Sequence, residues 1–264
     1  MQYGAMNFPI LPVLEEISTI SSLGFDYLEL TMDPPGAHYS VIRKQEKEIR
    51  NALDGHGLDL VCHLPTFVHT ADLADGIREA SVQEVLESLR AAARLNPKKI
   101  VLHPGYIGGL GPFVMDQAMA LAKESLGRII DQARNLGFSI CIENMFPKYP
   151  GWTEPDDFLS ILDEFPSLML TLDIGHANIG SKREKRVLDF IQTFKNRIGH
   201  IHASDNFGKE DSHLPIGAGN IDFARAAKAL KKIGYNGTIT LEVFSGEKRY
   251  LRFSKEIMSE LFGK

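Results

Sequence analysis

The chain has 264 residues, of which 44% are apolar, and its formal net charge is −5. This length suits either two small domains or one large α/β barrel. The acidic balance argues against a general polyanion-binding surface, so a nucleic-acid partner is unexpected although not excluded. Cys62 and Cys141 lie inside apolar runs and are too few for a disulfide framework.

The N-terminal residues, MQYGAMNFP, lack the basic and long apolar regions of a secretory signal. No apolar stretch of the sequence reaches membrane-spanning length. The composition stays even along the chain, and no low-complexity linker divides it. We therefore expect one cytoplasmic domain over residues 1–264 that has no membrane partner.

Strand-like apolar runs alternate with helical patterns along the chain. The helical stripes are clear over 78–95 and 116–136, where apolar residues recur at spacings of three and four. The predicted strands are 2–6, 25–31, 58–63, 98–103, 138–143, 168–173, 197–203 and 237–243. The predicted helices are 12–22, 40–55, 78–95, 116–136, 154–164, 184–194, 221–233 and 247–262.

Eight strand–helix units in this length predict an α/β fold, a single (β/α)8 TIM barrel. A doubly wound open sheet is the alternative, and it would leave ligands at opposite edges of the sheet. In a barrel the carboxyl ends of all the strands meet at one mouth, where the active sites of this fold lie. Polar residues at strand ends are therefore the candidates for function.

Six of the apolar runs end in a side chain that binds metals well. The runs are LVCH, IVLH, ICIE, LTLD, HIH and ITLE, ending at His63, His103, Glu143, Asp173, His202 and Glu242. His176 and the pair Asp211 and His213 follow in loops on the same side. Imidazole and carboxylate without thiolate suit Zn²⁺, Mn²⁺, Co²⁺ or Fe²⁺. The sequence thus predicts a divalent-metal site at the barrel mouth.

Three further residues are candidates for contact with substrate. Glu29 ends the second strand and either contacts substrate or bonds to a neighbouring side chain. Gly217 and Gly219 lie in the loop before the seventh helix, which either offers backbone N–H groups to an anion or forms a tight turn. His200 lies two residues before His202 on the same strand face, so we expect it one layer deeper in the barrel.

The motifs resemble the xylose isomerase-like TIM barrel superfamily. The strings that carry the resemblance are VCHLP, VLHPG, IEN, LDIGHA, HIHASDN, DSHLPIGAGNIDF and LEV, and it covers roughly residues 10–245. That superfamily includes sugar and sugar-phosphate isomerases and epimerases as well as endonuclease IV (AP endonuclease family 2). The motifs are specific for the superfamily and not for one reaction.

In the endonuclease IV branch, three zinc ions hydrolyse the phosphodiester at an abasic site. The resemblance implies nine ligands there, which match His63, His103, Glu143, Asp173, His176, His202, Asp211, His213 and Glu242. Two features depart from that branch. The tyrosine expected shortly after the first histidine is missing from His63-Leu-Pro-Thr66, and the loop Thr31–His38 has no Arg or Lys for reading DNA.

In the isomerase and epimerase branch, the resemblance implies a single divalent metal held by Glu143, Asp173, His202 and Glu242. The two glutamates also exchange protons at a substrate carbon, and His176 contacts substrate oxygens. Many of these epimerases carry an arginine about six residues after the last ligand histidine, where this chain has Gly208. That departure puts the usual substrate clamp in doubt.

The leading hypothesis is a metal-dependent isomerase or epimerase that acts on a small sugar, polyol or sugar phosphate by metal-stabilised enediolate chemistry. Glu143, Glu242 and His176 are its predicted catalytic residues. We expect one to three ions of Zn²⁺ or Mn²⁺. The alternatives are an endonuclease IV-like zinc phosphodiesterase, and a non-catalytic or lyase member of the same barrel. A homodimer is left open, because barrels of this kind often pair.

Overall fold

Eight parallel strands form a closed barrel in which each strand pairs with the next and β8 pairs with β1. The computed structural model describes residues 1–263. The strands are β1 (Gln2–Met6), β2 (Tyr27–Thr31), β3 (Asp59–His63), β4 (Lys99–Leu102), β5 (Ile140–Glu143), β6 (Met169–Asp173), β7 (Ile198–Ala203) and β8 (Thr238–Leu241). This closure confirms the predicted TIM barrel and rules out the open sheet.

Helices cover the outside of the barrel between successive strands. They are α1 (Val13–Ser22), α2 (Tyr39–Lys44), α3 (Glu46–His56), α4 (Asp75–Leu95), α5 (Met115–Asn135), α6 (Pro155–Glu164), α7 (Ile174–Asn178), α8 (Lys185–Thr193), α9 (Phe223–Lys232) and α10 (Arg249–Phe262). A short 3₁₀ helix, Gly111–Val114, precedes α5. Within the described chain, no helix has both the length and the apolar character that crossing a membrane would need.

The observed helices differ from the prediction at two places. The predicted helix 40–55 is two helices, α2 and α3, which meet at Gln45, whose φ of −106° and ψ of 13° break the helical path. Each of the two helices buries its own apolar residues, so periodicity alone did not reveal the break. The short helix α7 was not predicted, because its five residues are too few to show a period.

A bulge in β7 sets the direction of the two histidines in that strand. Leu170 of β6 pairs with Ile198, but the next residue, Thr171, pairs with His200, so Gly199 is the extra residue. A Cβ atom at Gly199 would lie 2.9 Å from Cys141 Sγ, which only glycine avoids.

After the bulge, Asp173 pairs with His202 at the carboxyl end of the sheet. His200 then lies one layer deeper, as expected, and it is fully buried. The bulge therefore places an acid and an imidazole of neighbouring strands at the same level of the barrel interior.

Candidate metal centre

The structure brings the nine predicted ligands together at the carboxyl end of the barrel. They are His63, His103, Glu143, Asp173, His176, His202, Asp211, His213 and Glu242. Successive side chains of a strand point to opposite faces, so the last inward-facing residue of each strand reaches the mouth. His103 and Glu242 lie one residue beyond the ends of β4 and β8. The six residues at strand ends are mostly inaccessible to solvent, whereas Asp211 and His213 are half-buried.

His202 lies at the centre of an inner group of three acids. Its Nδ1 lies 3.0 Å from Glu242 Oε1, 3.3 Å from Glu143 Oε2 and 3.9 Å from Asp173 Oδ2. The other oxygen of Asp173 accepts a hydrogen bond of 2.6 Å from the backbone N–H of His176 and so caps α7. This cap leaves Oδ2 of Asp173 turned towards the other acids of the group.

Two outer groups adjoin the inner one. Glu143 Oε2 lies 3.4 Å from His63 Nε2 and 3.3 Å from His103 Nε2, so its carboxylate is shared between groups. On the other side, Asp211 Oδ2 lies 3.2 Å from His176 Nε2 and 2.9 Å from His213 Nε2. The nine residues therefore form three neighbouring groups and not one scattered set.

Three of the four outer histidines are each oriented by a backbone carbonyl. The Nδ1 atoms of His63, His176 and His213 lie 2.8, 2.9 and 3.1 Å from the carbonyl oxygens of Leu64, Asn144 and Glu242. A carbonyl can only accept, so Nδ1 of each carries the proton and Nε2 presents its lone pair to the site. This second hydrogen bond is typical of histidines that bind metals.

The donor set fits a divalent cation. Asp173 Oδ2 and His202 Nδ1 are buried and make no hydrogen bond, although acidic oxygens surround Nδ1. Unpaired buried polar atoms are rare in proteins and call for a partner of another kind. One ligand atom from each of Glu143, Asp173 and His202 can lie within 4.8 Å of the others, and the same holds for His63, His103 and Glu143. Nitrogen and oxygen donors at this spacing suit Zn²⁺ or Mn²⁺.

Burial and the crowding of charged groups shift the pKa values of the acids in opposite directions. Burial raises the pKa of Glu242 to about 8, and the nearby Asp173 and Glu143 add to the shift while His202 opposes it. Burial also acts on Glu143, but His202 and His103 outweigh it and hold the pKa of that carboxyl well below its usual range. Burial likewise raises the pKa of Asp173. The carboxylates thus repel one another, and a bound cation would relieve that repulsion.

The structure places Glu29 beneath the site and away from the cavity. Its side chain is fully buried, and its oxygens lie 3.0 Å from His202 Nε2 and 2.9 Å from His200 Nε2. The hydroxyl of Thr240 also donates to it. Burial opposes ionisation, yet His202 and His200 hold the pKa of Glu29 well below its usual range. Of its two predicted roles, the geometry favours the bond to a neighbour over contact with substrate.

The glycine loop also differs from the predicted anion site. The N–H groups of Gly217 and Gly219 each donate to Asp205 Oδ2 at 2.9 Å. The N–H groups of Ile221 and Asn206 donate to Asp205 Oδ1 at 3.2 and 2.9 Å. A carboxylate of the chain therefore takes up the amides that an external anion would need. The geometry favours the tight turn over a role of Gly217 and Gly219 in substrate binding.

We predict that Asp205→Ala destabilises the protein by at least about 2 kcal/mol, because it leaves four N–H groups, two of them buried, without an acceptor. Thermal unfolding followed by circular dichroism measures the effect. Asp72→Ala is the matched control. Asp72 accepts one hydrogen bond of 2.8 Å from the backbone N–H of Ala74, and this bond is exposed to solvent. Its loss should cost about 1 kcal/mol or less. Equal midpoints for the two variants would contradict the proposed role of Asp205.

A cavity of about 330 Å³ opens above the candidate metal centre. Polar walls come from seven of the nine candidate ligands, all but Asp173 and His202, and from Thr31, Asp33 and Thr66. The outer walls are Met6, Phe8, Pro9, Phe67, Met145, Phe146, Tyr149 and Phe244. Most of the apolar walls could not be predicted from the sequence, because single aromatic residues in loops carry no periodic signal. Among the described residues that line the cavity, there is no lysine or arginine.

The comparisons with known proteins agree with this architecture. The family model described as "Xylose isomerase-like TIM barrel" matches residues 17–260. An uncharacterized protein of Methanocaldococcus jannaschii is 31% identical over 98% of this chain and 89% of its own length. The D-psicose 3-epimerase of Ruminiclostridium cellulolyticum is 28% identical over 86% of this chain and 77% of its own length.

Solved structures extend the agreement. The crystal structure of a D-tagatose 3-epimerase-like protein superposes with a TM-score of 0.86 at 28% identity, covering 99% of this chain and 97% of that one. A D-psicose 3-epimerase crystallised in the presence of D-fructose has a TM-score of 0.82 at 18% identity over both whole chains, and it supports the fold alone. With the closed barrel and the family match over most of its length, the chain belongs to the xylose isomerase-like TIM barrel family.

Proposed function

We propose that this protein is a metal-dependent epimerase that inverts carbon 3 of an unphosphorylated ketose. The observation that carries the proposal is the convergence of Glu143 and Glu242 on His202, at the floor of a cavity with apolar outer walls. The names of the relatives support the choice of reaction, since several of them are described as ketose 3-epimerases. The broader class is a sugar isomerase or epimerase.

Glu143, Asp173, His202 and Glu242 are the residues that would hold the metal on which this chemistry depends. When bound, a divalent ion supplies Lewis-acid stabilisation of the negative charge that develops on substrate oxygens during proton removal. The chain itself orients these ligands: the cap on α7 fixes Asp173, and the deeper carboxylate of Glu29 contacts His202.

Inversion at carbon 3 requires that a proton leave one face of the carbon and that a proton arrive at the other. Two acid/base groups are therefore needed, and each contributes typically about 10²–10⁴-fold to the rate. Glu143 ends β5 and Glu242 follows β8, so they approach the cavity from separate strands. We assign the two proton transfers to these glutamates, and we assign to His176 the contact with substrate oxygens.

The charge of the cavity favours a substrate without phosphate. Asp33, Asp211 and Glu143 line the cavity, but no lysine or arginine of the described residues does. The amides of the glycine loop are already bonded to Asp205. A phosphate group placed away from the metal would thus lose its hydration without gaining a lysine or arginine partner.

We predict that free ketoses are turned over more efficiently than their phosphate esters. The metal-loaded protein should interconvert D-fructose and D-psicose, with solvent deuterium entering carbon 3 in D₂O, as followed by NMR. For D-fructose, kcat/KM should exceed that of D-fructose 6-phosphate by at least about tenfold, or about 1.4 kcal/mol. A preference for the phosphate ester would overturn the assignment of substrate charge, and exchange at another carbon would overturn the assignment of the reaction.

One observation favours a second candidate, an endonuclease IV-like phosphodiesterase. His63 and His103 form a candidate metal-binding group with Glu143, and His176 and His213 form a further group with Asp211. A single-metal epimerase does not need these outer groups as ligands. Elemental analysis of the unchelated protein separates the candidates: two or three zinc ions per chain favour hydrolysis, which cleavage of an abasic duplex would test, and a single ion favours the epimerase.

A further inference from the structure

A buried polar network fills the barrel directly beneath the metal centre. At its centre is Glu29 of β2, whose carboxylate lies between two histidines of β7, His200 and His202. Below them, Thr238 Oγ1 lies 2.6 Å from His200 Nδ1, and Thr240 Oγ1 lies 2.8 Å from the hydroxyl of Tyr27. All of these side chains are buried. A buried carboxylate is costly unless it is paired and hydrogen-bonded, and two imidazoles and the hydroxyl of Thr240 supply those bonds to Glu29.

The hydrogen bonds of this network decide which nitrogen of His202 faces the site. An ionised carboxylate can only accept, so the Nε2 of His202, 3.0 Å from Glu29 Oε1, must carry a proton. The lone pair that can bind a metal is then on Nδ1, the atom that lies among Glu143, Asp173 and Glu242. Without an acceptor below the ring, the alternative tautomer would place the proton on Nδ1, where it blocks metal binding.

His202 differs in this respect from three of the four outer histidines. His63, His176 and His213 each present Nε2 to the site and are held by a backbone carbonyl at Nδ1. His202 instead presents Nδ1 to the site. The group that holds its Nε2 is a side-chain carboxylate, Glu29, from β2, a strand far from β7 in the sequence. A backbone carbonyl cannot be changed by mutation, whereas this carboxylate can, which makes the orientation of His202 open to a direct test.

We infer that Glu29 is a positioning residue for the metal site: it fixes the tautomer and ring orientation of His202 so that Nδ1 faces the metal. The inference rests on the proposed metal site and assigns to Glu29 no contact with substrate. His200 and Thr240 complete the arrangement, because each donates to Glu29 Oε2 and thereby leaves Oε1 for His202. Outer-shell partners of this kind are typically worth about 10–100-fold in metal affinity.

The test is the metal affinity of Glu29→Gln, measured by competition with a chromogenic chelator for Zn²⁺ or Mn²⁺. The amide has the size of the carboxylate, but its NH₂ group is a donor. It would face one of the two imidazole N–H groups, which is also a donor, so that hydrogen bond would be lost. We expect affinity to fall by about 10–100-fold, because the histidine tautomers are no longer fixed. Tyr27→Phe is the matched control, since it removes a hydroxyl from the same buried network but one that bonds only to Thr240, and it should keep the wild-type affinity.

The outcomes separate this inference from the proposed function. If Glu29→Gln folds and binds metal as tightly as the wild type, the positioning role is overturned while the metal site stands. If the wild type itself binds no divalent metal, the proposed function fails and the inference with it. If the variant does not fold, ¹⁵N NMR of histidine-labelled, zinc-loaded wild type decides: Nδ1 ligation with a protonated Nε2 at His202 supports the role, and ligation through Nε2 overturns it.

Discussion

Glu143→Gln is expected to lower kcat on a free ketose by about 10³-fold or more, because it removes a group that transfers a proton and weakens one that binds metal. The carboxylate lies 3.3 Å from both His103 Nε2 and His202 Nδ1, so the substitution also removes an anion that two imidazoles share. The amide keeps the shape of the side chain but cannot accept a proton at neutral pH. Steady-state kinetics by NMR at saturating metal measures the loss.

Metal content must be measured on the same sample, since Glu143 serves in two roles. If turnover falls strongly while the metal is retained, Glu143 takes part in proton transfer. If turnover and metal are both lost, Glu143 is at least a metal ligand. Glu256→Gln is the control, because Glu256 lies exposed on α10 and pairs only with Arg252, at 3.8 Å. Full turnover in Glu143→Gln would refute the acid/base role.

Much of the barrel was predictable from the sequence, because its signals are local. Runs such as ICIE show in a few residues that a strand is buried on both faces and that a polar side chain ends it. Helix bounds were close wherever an apolar stripe extends over several turns, as in α4 and α5. Where a helix is short or two helices join end to end, as at Gln45, the period is too brief to locate the break.

The role of Glu29 depends on closure of the barrel and therefore could not be predicted from the sequence. Its partners, His200 and His202, lie 171 and 173 residues away along the chain. Sequence spacing shows that the two histidines share a strand face, but it does not show which side chain of another strand lies between them. The same holds for the cavity wall, where Phe8 and Phe244 come from opposite ends of the chain, with ring centroids 6.2 Å apart.

Binding of a divalent ion is expected to stabilise the protein strongly. Ligands from β5, β6, β7 and the residue after β8 would be joined through one ion, and the unfolded chain cannot assemble such a set. With free metal at roughly 1,000 times its dissociation constant, the gain is about 4 kcal/mol. For a chain of this size, that gain corresponds to a rise in the thermal midpoint on the order of 10 °C.

Calorimetric scans of the chelated protein, with and without added Zn²⁺ or Mn²⁺, measure this rise. His202→Ala should abolish most of it, because the inner group then loses its only imidazole. His56→Ala should keep it, since His56 is an exposed residue at the end of α3. The midpoint should also depend on metal concentration in the wild type, as linkage requires. A midpoint that does not respond to either metal would show that these carboxylates and imidazoles form a hydrogen-bonded core and not a metal centre.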